Sequence, residues 1–280
     1  GIRTGVIELQ KLLLDYAQRC HSLAETSDDP AIKALAHSAL GLALQFTGDL
    51  RGSRTELESL MRILSQSQHG SIFLGYDPHY RSGMAIARTL WLQGYPDQAA
   101  DQASEAVKAS EAMGHSAALA LVLAGAARIS FWRGDLDAAQ HFTDRSYSLA
   151  EANAMGPLMA IGRCRKAELM IRRGHVGQGV HDLQAGLKVI HAARHELLTT
   201  EFNMELARGL LMLGHAGNGL RLVDDTIDRV NGSGELYQLP ELLRVKGQLL
   251  RASPGSSSDE AERCLQQSLD LARMQGCLLY

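Results

Sequence analysis

A glycine between two helix-like segments recurs along the chain at a nearly constant spacing. These glycines are Gly48, Gly94, Gly134, Gly174 and Gly214, so the first step is slightly longer than the three equal steps that follow it. A fixed period of this length indicates a repeat architecture, in which each repeat buries its apolar face only against its neighbours. The spacing therefore predicts a series of helical hairpins with one turn at each glycine.

Two columns of small residues keep the same spacing. One column lies seven residues before each turn glycine, and the other lies five residues after it. The first holds Gly41, Ala87, Ala127, Ala167, Ala207 and Gly247, and the second holds Ser53, Ala99, Ala139, Gly179 and Gly219. A small residue on each helix of a pair lets the two backbones approach closely where they cross. We therefore expect the two columns to meet inside each helix pair. In the last pair, Ala261 is the small residue of the second column.

Proline positions and apolar periodicity indicate where the helices begin and end. Five of the six prolines suit the first turn of a helix, where a missing N–H is tolerated: Pro30, Pro78, Pro96, Pro157 and Pro240. We predict an all-α fold without strands. It comprises a leading helix at residues 6–26 and helix pairs at about 31–65, 79–113, 115–153, 156–193, 195–231 and 239–275.

Charge and cysteine content exclude several classes of protein. The 28 Lys and Arg residues against 31 Asp and Glu residues leave a net charge of −3, which does not favour a nucleic-acid or membrane surface. No apolar run approaches the roughly 20 residues of a membrane span. The cysteines, which are Cys20, Cys164, Cys264 and Cys277, are widely spaced and form no C-x-x-C pair. We therefore expect reduced thiols and a cytoplasmic location.

Several segments resemble known repeats. LGLALQFTGDL (40–50) resembles a tetratricopeptide (TPR) helix-turn-helix, although the 40-residue period exceeds the roughly 34 residues of the standard motif. GYDPHYRSGMAIARTLWLQGYPDQA (75–99), FWRGDLDAA (131–139), LPELLRVKGQLL (239–250) and AERCLQQSLDLARMQG (261–276) resemble a more specific group. That group is the C-terminal repeat region of bacterial signalling ATPases with an N-terminal winged-helix DNA-binding domain or a class III adenylate cyclase domain.

The resemblance implies a right-handed α-solenoid that acts as a sensor arm, binds a ligand or partner, and controls the attached ATPase and output domains. The sequence contains no G-x-x-x-x-G-K-[ST] phosphate loop, so ATP hydrolysis cannot be assigned to these residues. We predict a single solenoid over 1–280, a fragment of a larger protein, with no catalysis, cofactor or nucleic-acid contact of its own. A stand-alone adaptor that binds a peptide terminus is the alternative, and an enzyme with its site in the groove is a third possibility.

Positions on the first helix of each pair supply the candidate binding site, because the resemblance implies that these helices line the concave surface. Arginines recur at the position six residues before the turn glycine, with a single glutamate among them. A row of guanidinium groups suits a carboxylate or phosphate ligand. The candidate ligand-binding residues are Arg81, Arg88, Trp91, Arg128, Phe131, Trp132, Glu168, Arg172, Arg208 and Arg244. The alternative is that Glu168 pairs with the flanking arginines and that the aromatic residues belong to the core.

Other sites have weaker support in the sequence. His191 and His195 have the four-residue spacing of two metal ligands on one helix face, but they straddle a predicted helix junction. We therefore predict no metal site. The stretch from Gln66 to His79 makes the first period longer than the others, and an ordered loop near the groove or a longer connection explains it equally well.

Overall fold

The computed structural model describes residues 9–66, 78–193, 199–253 and 258–277, and these residues form thirteen α-helices and no strand. The helices are α1 (Leu9–Glu25), α2 (Pro30–Thr47), α3 (Leu50–Gln66), α4 (Pro78–Leu92), α5 (Pro96–Met113), α6 (Ser116–Arg133), α7 (Leu136–Ala152), α8 (Gly156–Arg172), α9 (Val176–Ala192), α10 (Thr199–Met212), α11 (Ala216–Ser233), α12 (Leu239–Ala252) and α13 (Ser258–Gln275). The predicted all-α fold of helix pairs is confirmed. The stretch 67–77, which holds most of the predicted insertion, lies outside the described residues.

Every predicted turn glycine ends the first helix of a pair with the same backbone geometry. The five glycines have φ between 75° and 91°, a left-handed conformation that other residues adopt only with strain. At the first turn the Gly48 amide donates to the Gln45 carbonyl, and the Asp49 amide donates to the Leu44 carbonyl. The same pair of hydrogen bonds recurs at the other four glycines and satisfies carbonyls at the helix end. These turns set the period of the repeat.

The two columns of small residues meet as predicted. Ala127, Ala139 and Ala207 are fully buried, and Ala167 is 1% exposed. A Cβ atom added to Gly179 would lie 2.8 Å from the carbonyl oxygen of Ala167, so the two columns are in backbone contact in this pair. Only small residues permit this approach between paired helices.

The chain divides into two compact units. The first unit comprises the described residues within 1–115, 231–237 and 273–279, and the second comprises those within 116–230 and 238–272. Each unit has apolar clusters of its own, such as Ala17, Leu40 and Ala43 in the first unit and Val223, Leu242 and Leu249 in the second. A single domain over 1–280 therefore stays a prediction.

Helix α6 is the one described helix that is long and apolar enough to cross a membrane. Its mean hydropathy is 1.2, and 56% of it is buried inside the protein. Burial to this extent is typical of a core helix, because a membrane span would present its apolar side chains to lipid.

Candidate functional site

The second unit contains a continuous series of alternating arginine and glutamate side chains on α6, α8, α10 and α12, which are the first helices of their pairs. We call this series the Arg–Glu ladder. Its members are Arg128 on α6, Arg165, Glu168 and Arg172 on α8, Glu201, Glu205 and Arg208 on α10, and Glu241 and Arg244 on α12. The members on each helix are three or four residues apart, which places them on one helix face.

Arg165 is the most deeply buried member of the ladder. Its side chain is 4% exposed and bridges two carboxylates, with one guanidinium nitrogen 2.6 Å from Glu168 and the other 2.6 Å from Glu201. Burial alone would lower the pKa of Arg165, but the two carboxylates raise it above its ordinary value. The guanidinium also lies 4.8 Å from the ring centroid of Phe202. Arg165 is therefore a permanent cation enclosed by its own partners.

Glu168 is also enclosed, and its side chain is 6% exposed. Burial raises the pKa of the Glu168 carboxyl above its ordinary value, although Arg165 and Arg172 act in the opposite direction. Two arginines on the same helix therefore compensate this carboxylate at a site where water reaches very little of it.

Arg128 pairs with a glutamate on another helix. Its Nε atom lies 2.9 Å from Glu201 Oε1, an ion pair without hydrogen-bond geometry, and the two side chains are 8% and 7% exposed. Gln238 donates a hydrogen bond of 3.0 Å to the same carboxylate oxygen. Arg128 is thus part of the interior of the second unit.

Three arginines of the ladder are more accessible. Arg172 makes a bidentate contact with Glu205, at 3.2 Å and 3.0 Å, and its side chain is 27% exposed. Arg208 donates to Glu205 at 3.1 Å and also pairs with Glu241. Arg244 pairs with Glu241 at 2.7 Å and is 33% exposed. The accessible side chains of the ladder are therefore these three arginines, whereas Glu205 between two of them is only 5% exposed.

The predicted row of arginines is paired within the protein, because Arg128 contacts Glu201 and Arg208 contacts Glu205 and Glu241. Burying a charge without a partner is costly, so the fold supplies carboxylates from neighbouring helices. The sequence reasoning missed Arg165 and Glu205 entirely. Their spacing was a usable signal, because Arg165 precedes Glu168 by three residues and Glu205 precedes Arg208 by three.

Arg88 lies in the first unit and is also held by internal contacts. Its guanidinium lies 5.6 Å from the ring centroid of Phe46 and 5.4 Å from that of Tyr237, and it donates to the Gln45 side chain. Tyr237 is only 2% exposed. Cation–π contacts of this kind stabilise a partly desolvated arginine. Side chains of the first unit therefore hold the Arg88 guanidinium in place.

The aromatic candidates differ in accessibility. Phe131 is 1% exposed and packs with Ala139 and Leu169, so it belongs to the core, which corrects its assignment to the groove surface. Trp91 and Trp132 are partly buried. Arg81 falls on α4, but its side chain lies outside the described residues. The partly exposed members that remain as binding candidates are Arg88, Trp91, Trp132, Arg172, Arg208 and Arg244.

The cysteines and the histidine pair complete the set of sequence-based assignments. None of the four cysteines forms a disulfide in the structure, and only Cys20 is exposed. His191 is exposed at the end of α9, whereas His195 lies outside the described residues.

No family model and no curated protein sequence matches the chain. Several solved structures are similar to it. Aspartyl phosphate phosphatase F from Bacillus subtilis is 12% identical with a TM-score of 0.68, and the match covers 97% of this chain and 70% of that one. A Rap protein complexed with Competence and Sporulation Factor is 14% identical with a TM-score of 0.60, covering 87% of this chain and 72% of that one. PlcR from Bacillus thuringiensis, in complex with the peptide PapR7 and DNA, is 12% identical with a TM-score of 0.60, covering 94% of each chain.

These similarities establish the kind of fold. The neighbouring structures are TPR-like helical repeat proteins, and the predicted likeness to TPR repeats is confirmed at this level. Identities of 12–14% carry the fold and no more. The narrower resemblance to the repeat region of signalling ATPases stays a prediction.

Proposed function

We propose that this chain is a non-catalytic, peptide-binding regulatory module, the sensor arm of a cytoplasmic bacterial signal-transduction ATPase or transcription regulator. The observation that supports it is the likeness of the fold, over most of both chains, to Rap in complex with Competence and Sporulation Factor and to PlcR in complex with PapR7 and DNA. Repeat folds of this kind use extended surfaces for binding. Contact with DNA is assigned to the output domain and not to this chain.

The accessible part of the Arg–Glu ladder is the proposed binding surface. Arg172 and Arg208 are each 27% exposed, and they lie on α8 and α10 beside Glu205. A guanidinium has five N–H donors, so it can bind a carboxylate of the protein and one of a ligand together. The ligand proposed is a peptide that presents a carboxylate, either its C-terminus or an acidic side chain.

Arg208 connects the proposed binding event to the helices. It pairs with Glu205 on its own helix and with Glu241 on α12, so it links α10 to α12. A ligand carboxylate on Arg208 shares the guanidinium with Glu205 and displaces Glu241, which weakens that link. The ligand then shifts the arrangement of the helices only by as much as its affinity differs between the two arrangements. Such a shift is the signal proposed to reach the attached domains.

Binding of a C-terminal positional peptide library, measured by fluorescence anisotropy, tests the proposal. We expect saturable one-to-one binding of peptides with a free carboxylate. Arg208→Ala should weaken it by roughly 1.5–3 kcal/mol, the value of a hydrogen bond to a charged group. Arg221→Ala is the matched control, because Arg221 is exposed on α11 of the same unit and contacts Asn218. The proposal is contradicted if both variants bind the peptides with equal affinity, or if no peptide shows saturable binding.

The ATPase context is tested separately. A G-x-x-x-x-G-K-[ST] segment followed by the ATPase fold in the same reading frame supports the sensor-arm proposal, and a reading frame without it favours the stand-alone adaptor. The isolated chain should neither bind nor hydrolyse ATP. Turnover that survives repurification and disappears on a single substitution in the ladder would require an enzyme instead.

A further inference from the structure

Two histidines and a glutamate from three successive helices converge at one point in the first unit. His21 lies on α1, His37 on α2 and Glu56 on α3. The Glu56 Oε2 atom is 3.2 Å from His21 Nε2 and 2.7 Å from His37 Nδ1. The three atoms all lie within 4.8 Å of one another. We propose that His21, His37 and Glu56 bind a single divalent transition-metal ion of the Zn²⁺ type.

The spacing of the three atoms suits a metal ion. Bonds of about 2.0–2.2 Å in a tetrahedral site separate neighbouring ligand atoms by roughly 3.3 Å. The separations of 2.7 Å and 3.2 Å are hydrogen-bond distances slightly shorter than this value, and the two nitrogen atoms lie within 4.8 Å of each other. The imidazole rings meet edge to face, with their centroids 4.8 Å apart and their planes at 75°, and a nitrogen of each ring contacts the same Glu56 oxygen. Small side-chain movements therefore convert the hydrogen-bonded cluster into a coordination set.

The types of ligand atom select the metal. Two imidazole nitrogens and one carboxylate match the His₂Glu set of zinc sites that keep a fourth position open. Mg²⁺ and Ca²⁺ prefer sites made of oxygen atoms, so neither should compete at equal concentration. Cu²⁺ should bind more tightly than Zn²⁺ at the same nitrogen ligands, following the usual order of divalent affinities.

A cavity beside the two histidines leaves room for the fourth ligand. Its volume is about 430 Å³, and it is lined by His21, Ala24, Glu25, Lys33, Ala36 and His37. The ligand side chains are only 19–22% exposed, so the site is partly sheltered but reachable. A water molecule or a small anion in the cavity would complete the coordination.

The competing explanation is a purely structural cluster, in which Glu56 accepts hydrogen bonds from both histidines. Such a cluster joins the same three helices without a metal ion. The two explanations differ in a direct observable, because only a metal site binds one equivalent of Zn²⁺ and gives bound Co²⁺ the visible absorption of a low-coordinate ion.

The experiment uses the full 280-residue chain after removal of metals with a chelator. Titration with ZnCl₂ by calorimetry should give one tight site per chain, and CoCl₂ should give a low-coordinate absorption band. Loss of a partner outside the coordination set weakens metal affinity by about 10–100-fold, so loss of a ligand should weaken it at least as much. We therefore expect at least a tenfold loss in His37→Gln and in Glu56→Gln.

His181→Gln is the matched control, since His181 is exposed on α9 in the second unit and should leave the titration unchanged. Circular dichroism of each metal-free variant establishes that it is folded, and Glu56→Gln still carries a side-chain oxygen that can accept a hydrogen bond. Zinc binding that persists unchanged in both variants places the metal on other histidines and overturns the site. Failure of the parent chain to bind one Zn²⁺, or equal competition by Mg²⁺, overturns it as well.

Discussion

Arg165 and Glu201 join α8 to α10 through an ion pair with a separation of 2.6 Å, and their side chains are 4% and 7% exposed. The pair is 36 residues apart in the sequence and connects equivalent helices of neighbouring repeats. A buried ion pair of this kind gains little over an apolar contact of the same shape, but removing one partner leaves an uncompensated charge in the interior. Single substitutions in the buried part of the Arg–Glu ladder should therefore have large effects on the stability of the fold.

Arg165→Met removes the cation that lies between Glu168 and Glu201. We expect it to lower the free energy of unfolding by roughly 3–5 kcal/mol, because two buried carboxylates each lose one of their two arginine partners and keep only Arg172 and Arg128. Urea unfolding followed by circular dichroism measures the change. Arg173→Met is the control, since Arg173 pairs with Asp137, which is 97% exposed, and an exposed pair is worth at most about 1 kcal/mol. A similar loss in both variants would contradict the ladder as a structural network.

Gly179→Ala and Gly177→Ala should change stability in opposite directions, although the two glycines lie two residues apart on α9. A Cβ atom at Gly179 would lie 2.8 Å from the backbone oxygen of Ala167, so we expect a loss of roughly 1–3 kcal/mol. A Cβ atom at Gly177 meets no described atom within 4 Å, so the better helix propensity of alanine should add up to about 1 kcal/mol. Thermal melts of both variants measure the two changes in stability. Changes of the same sign would contradict the contact between Gly179 on α9 and Ala167 on α8.

Ala167→Leu should destabilise the second unit by roughly 1–3 kcal/mol, because the larger side chain forces paired helices apart. Ala167 is 1% exposed and packs in the cluster around Ile171 and Leu183. Ala185→Leu on the exposed side of α9 is the control and should be nearly neutral. Chemical denaturation measures both variants. An unchanged midpoint for Ala167→Leu would mean that the repeat register is wrong.

The four thiols should differ strongly in reactivity. Burial raises the pKa of Cys164 to about 12, and its side chain is inaccessible, so the reactive thiolate does not form at pH 8. Cys20 is exposed, whereas Cys264 and Cys277 are buried. We expect Ellman's reagent to modify one thiol quickly at pH 8 and the other three only on unfolding.

Cys20→Ser should remove the fast phase of this reaction, and mass spectrometry of the labelled peptides identifies the site. Rapid labelling of Cys164 in the folded chain would show that α8 and α9 separate readily. The thiol of Cys164 would then not stay packed against Gly186 in solution.

The turn positions and the helix starts could be predicted from the sequence, because each depends on residues that are close together in the chain. Gly48 and its four counterparts require a left-handed conformation, and Pro30 and Pro96 begin helices, so the period and the helix pairs follow from short segments alone. The two columns of small residues were equally readable, since the contact of Gly179 with Ala167 joins positions that recur at a fixed distance along the chain. The all-α class and the turn positions were therefore determined by the sequence.

Charge compensation and the histidine cluster were decided only by the tertiary structure. Arg128 on α6 pairs with Glu201 on α10, which lies two helix pairs further along the chain. Glu56 contacts both His21 and His37, and the three residues lie on three different helices. No spacing rule connects such residues, because their approach depends on how the helices pack and how far each side chain extends. The sequence thus determined which helices form and where they turn, whereas packing decided which charges are paired, since a buried ion stays in place only where another element brings its partner.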